Sequence, residues 1–320
     1  MSRLSTAAFL DPRWLLTAVI MFLINVACDG DARPAPTPGE SPPAADAPAS
    51  LPTGGCEPRA SAKGSPPRDP RGPYYHQVAV GHTTDGKTVT GGKQVLDHAS
   101  VPDGVRLKDG TVLVYYVNGE DGATWVGKLE GETLTPMAAL TVNGVKDPAG
   151  MVDPDATLLP SGSVRLAYFG SFGPPAEQKS RRASICLADS ADGVHFTLVG
   201  EAIAFGEITT DPSLVQLTDG SWLMAVSQGE KTALARSKDG LRFEQSATLT
   251  YGGVPELARL PDGRVRIYVC ARGIESYISG DQGATWTREG TALSGTPEKK
   301  LVCDPSFVAG TDLFIYKTAQ

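Results

Sequence analysis

The segment TTDPSLVQLTDGSWLMAVS, Thr209–Ser227, contains two strand-like runs around a turn at Asp219-Gly220. Valine, leucine and aromatic residues favour strands, and Asp-Gly is a frequent turn pair. Pro212 lies in the first run, although proline donates no hydrogen bond to a sheet and is therefore confined to edges. The segment predicts a hairpin whose first strand has one free edge.

The same pattern occurs five times in the chain. The other copies are SVPDGVRLKDGTVLVYYV (100–117), MVDPDATLLPSGSVRLAYF (151–169), GGVPELARLPDGRVRIYV (252–269) and LVCDPSFVAGTDLFIYK (301–317). Each begins with a proline between two variable residues, which is followed by a short apolar strand, a glycine turn and a second strand. The prolines are Pro102, Pro154, Pro212, Pro255 and Pro305, and successive prolines lie 43 to 58 residues apart.

Polar turns alternate with these hairpins, in HTTDGKTV (82–89), DSADGVHF (189–196), RSKDGLRF (236–243) and SGDQGATW (279–286). The last resembles the Asp box of sialidases, S-x-D-x-G-x-T-W, and the others resemble degenerate copies of it. About four short strands in some 50 residues are typical of one propeller blade. The sequence therefore predicts an all-β fold, a five-bladed β-propeller over residues 74–320 whose terminal strands pair in one blade. The alternative is a six-bladed, sialidase-like propeller.

The inner strand of a propeller blade has a free edge along the central channel, which explains the five prolines. Residues two positions apart on a strand share a side, so the residues flanking each proline predict two layers around the channel. One layer is Val101, Asp153, Asp211, Val254 and Asp304. The other is Asp103, Asp155, Ser213, Glu256 and Ser306. Six carboxylates then face one mouth of the channel. Duplication of blades also produces rings of equivalent residues that have no function.

The segment DPSLVQLTDG (211–220) resembles the Asp-Pro-Ser motif of glycoside hydrolase family 43, which includes five-bladed arabinanases and xylosidases. The resemblance implies that Asp153 is the catalytic base, that Asp211 tunes pKa values and that Glu256 is the catalytic acid. Glu256 departs from the family pattern because it follows a proline instead of preceding Gly-Pro. Asp103, Asp155, Asp304, Tyr168 and Tyr251 are the candidate substrate-binding residues.

Two classes of function remain open from the sequence. The first is a secreted or surface-tethered glycoside hydrolase that inverts configuration, with one carboxylate activating water and another protonating the leaving oxygen. The second is a noncatalytic propeller lipoprotein that binds glycan or protein, or a sialidase-like protein. No cofactor is expected, although a cation such as calcium would suit the acidic mouth. A net charge of −7 and the absence of a basic run argue against nucleic acid as a partner.

The N-terminal region predicts export. Residues 1–28 have an arginine-flanked apolar run that ends in INVAC, which resembles a bacterial lipobox and would place a lipid on Cys28. Residues 29–73 are rich in Pro, Ala and Gly and predict a disordered linker. The expected location is the bacterial cell envelope, lipid-anchored and periplasmic or extracellular. Cys56, Cys186, Cys270 and Cys303 allow three disulfide pairings, among which the sequence does not choose.

Overall fold

The structure, a computed structural model, describes residues 50–53, 56, 72–143, 151–170 and 183–319. These residues form one short 3-10 helix, Pro73–Tyr75, and otherwise strands and turns. Within the described part no helix is long and apolar enough to cross a membrane. The predicted signal segment with Cys28 lies outside the described residues, as does most of the linker.

The strands form five sheets, each of which is one blade. The closing blade contains β1 (Gln77–His82), β2 (Thr90–Asp97), β20 (Leu301–Phe307) and β21 (Leu313–Ala319). The first blade contains β3 (Ala99–Arg106), β4 (Val112–Asn118), β5 (Thr124–Glu130) and β6 (Thr133–Ala139). The second contains β7 (Thr141–Asn143), β8 (Met151–Leu158), β9 (Val164–Gly170), β10 (Ala183–Ser190) and β11 (His195–Phe205). The third contains β12 (Thr210–Gln216), β13 (Trp222–Gln228), β14 (Lys231–Ser237) and β15 (Glu244–Leu249). The fourth contains β16 (Glu256–Arg259), β17 (Val265–Cys270), β18 (Gly273–Ser279) and β19 (Thr287–Ser294).

The predicted five-bladed propeller is confirmed, and the described residues form no sixth blade. The ring closes as the sequence predicts, because β1 pairs antiparallel with β21 and places Val78 opposite Lys317 and Gly81 opposite Phe314. One addition was not predicted: the short β7 pairs parallel to β11 and gives the second blade a fifth strand.

The core lies between neighbouring blades. One buried cluster joins Tyr115 of β4 to Leu166 and Tyr168 of β9, and another joins Leu187 of β10 to Trp222 and Met224 of β13. Because the middle strands are covered on both faces, they need apolar residues at consecutive positions rather than at alternate ones. This requirement explains runs such as Val112–Val117, in which every residue is buried.

Four polar turns each fix their own blade to the blade before it. In each, a Ser or Thr hydroxyl accepts a hydrogen bond from the turn glycine, for example Gly240 N to Ser237 Oγ at 2.9 Å. The outward-facing backbone oxygen of the turn then accepts a bond from the preceding blade, as when Arg165 donates to Gly240 O at 2.9 Å. The equivalent pairs are Tyr268 with Gly86, Tyr115 with Gly193 and Arg236 with Gln282. The resemblance of these turns to Asp boxes stays a prediction.

Two disulfides add covalent links. Cys270–Cys303 joins the fourth blade to the closing blade, and Cys56–Cys186 joins the segment before the propeller to the second blade. Cys56 and Leu51 lie in the segment that the sequence predicts to be a disordered linker, and both are buried in the structure. Glu201 N donates to Pro52 O at 2.7 Å, which holds this segment against β11.

Candidate functional site

The five inner strands share a break in their pairing at the proline. The register skips two residues between Ser100 and Asp103 of β3, and at the same place in β8, β12 and β20. In the fourth blade β16 begins directly after Pro255. A β-bulge of this kind leaves residues unpaired, so the missing N–H of proline removes no ladder hydrogen bond. The predicted placement of the prolines thus has a physical reason.

The residue before each proline has a left-handed backbone. The φ angles are 49° for Val101, 53° for Asp153, 49° for Asp211, 47° for Val254 and 46° for Asp304. Such angles are costly for β-branched residues, yet two of the five are valines. The conformation therefore belongs to the blade architecture and is not by itself a mark of catalysis.

The first layer of the channel, formed by these five residues, contains a buried charge cluster. Lys317 Nζ lies 2.6 Å from Asp304 Oδ2, and Asp211 N donates to Asp153 Oδ2 at 3.3 Å. Burial raises the pKa of Asp153 well above its usual value, and the charges of Asp211 and Asp304 raise it further. Burial also raises the pKa of Asp211 to about 6, with Asp304 adding to the effect.

Lys317 was not among the residues predicted from the sequence. Burial alone would lower the pKa of its ammonium, but Asp304, Asp211 and Asp153 raise it above the usual value. Lys317 therefore stays protonated and offsets part of the negative charge in the first layer. His76, which contacts Ser100 Oγ at 2.9 Å, lies close enough for burial and the Lys317 charge to lower its pKa.

The second layer is a closed belt of hydrogen bonds between blades. In every blade the side chain of the second-layer residue accepts a hydrogen bond from a backbone N–H of the next blade. The five bonds are Ala156 N to Asp103 (2.6 Å), Leu214 N to Asp155 (3.1 Å), Leu257 N to Ser213 (2.9 Å), Phe307 N to Glu256 (3.1 Å) and Gly104 N to Ser306 (2.9 Å). Serine serves in two of the five places, so the belt requires an acceptor and not an acid.

Glu256 is held on both of its oxygens within this belt. Oε1 accepts from Phe307 N, and Oε2 accepts from the Ser213 hydroxyl at 2.9 Å. Burial raises the pKa of Glu256 well above its usual value, and the charges of Asp103 and Asp155 contribute. Burial also raises the pKa of Asp103 to about 6 and that of Asp155 well above its usual value.

The second-layer carboxylates lie close to one another. One oxygen from each of Asp103, Asp155 and Glu256 lies within 4.8 Å of the others. Inverting glycosidases separate their two carboxyl groups by roughly 6.5–9.5 Å to admit a water molecule, so these three do not form such a pair among themselves. An all-oxygen set suits a hard cation such as calcium, but the belt already occupies oxygens of all three, and the cation stays a prediction.

The structure brings the six predicted carboxylates together. Asp103, Asp153, Asp155, Asp211, Glu256 and Asp304 all line one cavity of about 30 Å³ between the layers. The two aromatic candidates lie elsewhere. Tyr168 is fully buried in the core between blades, so its ring offers no face to a sugar. Tyr251 is partly exposed and stacks on Tyr277, with ring centroids 4.2 Å apart.

The comparisons with known proteins bear on the fold. No family model matches the chain, and no curated protein matches it. Among solved structures, a thermostable family-43 glycoside hydrolase is similar with a TM-score of 0.55 and 12% identity, covering 69% of this chain and 83% of that one. A GH43_1 enzyme from Xanthomonas citri is similar with a TM-score of 0.50 and 12% identity, covering 69% and 87%.

A third similar structure has no assigned activity. It is a protein of unknown function from Dyadobacter fermentans, with a TM-score of 0.54 and 16% identity, covering 81% of this chain and 87% of that one. At these identities the similarity shows a shared fold: the chain is a five-bladed propeller that resembles the glycoside hydrolase family 43 propellers.

Proposed function

We propose that the protein is a glycoside hydrolase whose reacting groups are the first-layer carboxylates. The observation that carries this proposal is the difference between the two layers. Every second-layer residue bonds to the next blade, whereas two of the five first-layer positions are valines. The blade architecture therefore does not demand a carboxylate at this position, and three buried carboxylates that repel one another there are candidates for chemistry, although Asp153 and Asp304 also make local contacts.

The pKa shifts suggest a division of roles. Burial and the charges of Asp211 and Asp304 raise the pKa of Asp153, which is the direction that a general acid requires. Asp211, with a pKa of about 6, is mostly ionised at pH 7 and can act as the base that activates water. Lys317 forms an ion pair with Asp304, and its positive charge offsets part of the electrostatic repulsion among the three first-layer carboxylates. In this proposal Glu256, the acid that the family resemblance implies, has a structural role instead, because it accepts the belt hydrogen bond from Phe307 N.

The assignment to hydrolysis is tested by a panel of aryl glycosides and short oligosaccharides, which should include arabinosides, xylosides and galactosides. Hydrolysis that is lost in Asp153→Asn supports the proposal. A second candidate is a noncatalytic glycan-binding propeller, which is favoured by the burial of Asp153 and Asp304, 7% and 4% exposed. Glycan binding without hydrolysis of any panel member would support that candidate instead.

The proposed setting is the bacterial cell envelope, with a lipid on Cys28 that tethers the propeller. Two disulfides support export, since such bonds persist in oxidising compartments. Mass spectrometry of the native N-terminus tests the anchor. A mature chain that begins at lipidated Cys28 is expected, and an unmodified Cys28 or a different N-terminus would exclude it.

A further inference from the structure

The channel widens beyond the second layer into a chamber, which we call the lower chamber. It has a volume of about 510 Å³ and is lined by all five inner strands, with Asp103, Asp155 and Glu256 on its floor. Ligand pockets commonly measure about 300–1,000 Å³, so the lower chamber can hold a small molecule. It lies at the far end of the inner strands from the first layer.

The rim of the lower chamber is basic. The residues three positions after the belt are Arg106, Leu158, Gln216, Arg259 and Ala309, and all five line the chamber. Lys108 lies beside them. Arg106, Lys108 and Arg259 are exposed, and among the described residues none of the three has an ion-pair partner. Arg106 donates to Gly310 O at 3.5 Å, and Lys108 donates to Pro160 O at 2.8 Å.

Unpaired cations around one mouth are unexpected in a chain of net charge −7. Three other basic residues near this end are ion-paired: Arg266 with Glu289 at 2.6 Å, Arg264 with Asp262 at 2.7 Å and Lys87 with Glu289 at 3.4 Å. A positive rim focuses the field on an incoming anion, and guanidinium groups fit carboxylate or sulfate oxygens in pairs.

A groove continues from the lower chamber toward the closing blade. It has a volume of about 750 Å³, and Arg259 and Phe307 line both spaces. Its walls carry the polar side chains of Thr83, Thr84, Thr218 and Thr311, and the hydroxyls of Thr83, Thr218 and Thr311 hydrogen-bond within the protein. Its arginine side chains other than Arg259 are ion-paired. Unpaired positive charge is thus concentrated in the chamber, and the groove, whose walls are polar and whose cations other than Arg259 are ion-paired, suits a neutral polyhydroxylated chain.

From this arrangement we propose that the lower chamber binds the end of a glycan whose terminal sugar carries a carboxylate or sulfate group. Arg106 and Arg259 hold the anionic group at the rim. The floor carboxyls and Gln216 hydrogen-bond hydroxyl groups, and the groove takes the following sugars. This site is separate from the first-layer carboxylates and does not rest on hydrolysis there.

The test measures binding by calorimetry or ligand-observed NMR. The probes are D-glucuronate, its neutral methyl ester, glucose 6-sulfate and inorganic sulfate. We expect glucuronate or glucose 6-sulfate to bind, and which one binds more tightly distinguishes the two anionic groups. The methyl ester should bind at least about tenfold more weakly than glucuronate, since charged hydrogen bonds are lost.

Matched variants locate the site. Arg106→Gln and Arg259→Gln should each weaken binding by roughly tenfold or more, the worth of a charge-assisted hydrogen bond. Arg272→Gln removes an exposed arginine beside Cys270, at the other end of the channel, and should leave binding unchanged. Equal unfolding midpoints for the variants would show that the fold is intact, and retained first-layer activity would show that the sites are separate.

Three results would overturn the proposal. The first is that neither anionic sugar binds up to about 10 mM, a weak-binding limit. The second is that the methyl ester binds as tightly as glucuronate, or that Arg272→Gln weakens binding as much as the rim variants. The third is that inorganic sulfate binds as tightly as glucose 6-sulfate, because the chamber would then recognise an ion and not a sugar.

Discussion

Lys317, whose side chain is 15% exposed, and the buried Asp304 form an ion pair, Nζ to Oδ2 2.6 Å, across the two strands β21 and β20 of the closing blade. β21 also pairs with β1 near the N-terminus of the propeller. The charge balance of the first layer is therefore completed by the same strand that closes the ring. A chain that has not closed its ring lacks the cation that faces Asp153 and Asp211.

The first prediction concerns this ion pair. Lys317→Met leaves the buried Asp304 carboxyl without its ion-pair partner, which should lower the free energy of unfolding by roughly 3–5 kcal/mol at pH 7. Urea unfolding measures the loss. Lys300→Met, which removes an exposed lysine just before β20, is the matched control and should change little. A loss of less than about 1 kcal/mol in Lys317→Met would contradict a buried pair.

A second prediction concerns pH. Burial raises the pKa of Asp103 and Asp211 to about 6 and also raises the pKa of Asp153, Asp155 and Glu256 well above the usual value, so at these five groups the folded protein binds more protons than the unfolded chain above about pH 4. The free energy of unfolding should therefore be highest at about pH 4–5 and should decrease as the pH rises through 6 and above. Thermal unfolding should give a higher Tm at pH 5 than at pH 8. Replacing Asp103 and Asp211 by Asn should flatten this dependence, and a Tm that rises from pH 5 to pH 8 would refute the shifts.

The sequence predicts the fold and the two layers because both depend on a repeat that is visible in one chain. The x-Pro hairpins give the blade number, and counting along Asp153 and Asp155 gives the layers. The belt was not predictable, because Glu256 and Phe307 are on different blades and their contact depends on how blades stack. Lys317 was missed because its direction depends on the register of β21, which the segment LFIYKTA leaves open.

The third prediction concerns the contribution of the belt to stability. Ser306→Ala removes the acceptor for Gly104 N, the bond that closes the belt, and leaves a buried N–H without a partner. The free energy of unfolding should fall by roughly 1–3 kcal/mol. Ser161→Ala, on an exposed turn, is the control. Denaturant unfolding measures both, and an equal effect of the two substitutions would mean that the belt bond adds no stability.

The last prediction tests the proposed hydrolysis and distinguishes the first layer from the second as its source. Asp153→Asn removes the proposed acid and should lower turnover on a poor leaving group by roughly 10²–10⁴-fold, with a smaller loss on an activated aryl glycoside. Asp211→Asn removes the proposed base and should lower turnover on both substrates alike. The comparison of leaving groups assigns the two roles, since only the acid protonates the departing oxygen.

Glu256→Gln is the decisive partner in this series. The amide oxygen of the introduced glutamine can still accept from Phe307 N, and its NH2 group then donates to Ser213 Oγ in place of accepting from it. The belt and the fold should therefore remain, and turnover should fall by no more than a few-fold. If turnover instead falls by the full factor expected for a lost acid, and mainly on poor leaving groups, Glu256 is the acid that the family resemblance implies. The proposal for Asp153 as acid would then be wrong, and the belt position would serve both structure and catalysis. Unfolding midpoints equal to that of the unsubstituted protein are required before either conclusion is drawn, because only then does a change in turnover report on chemistry.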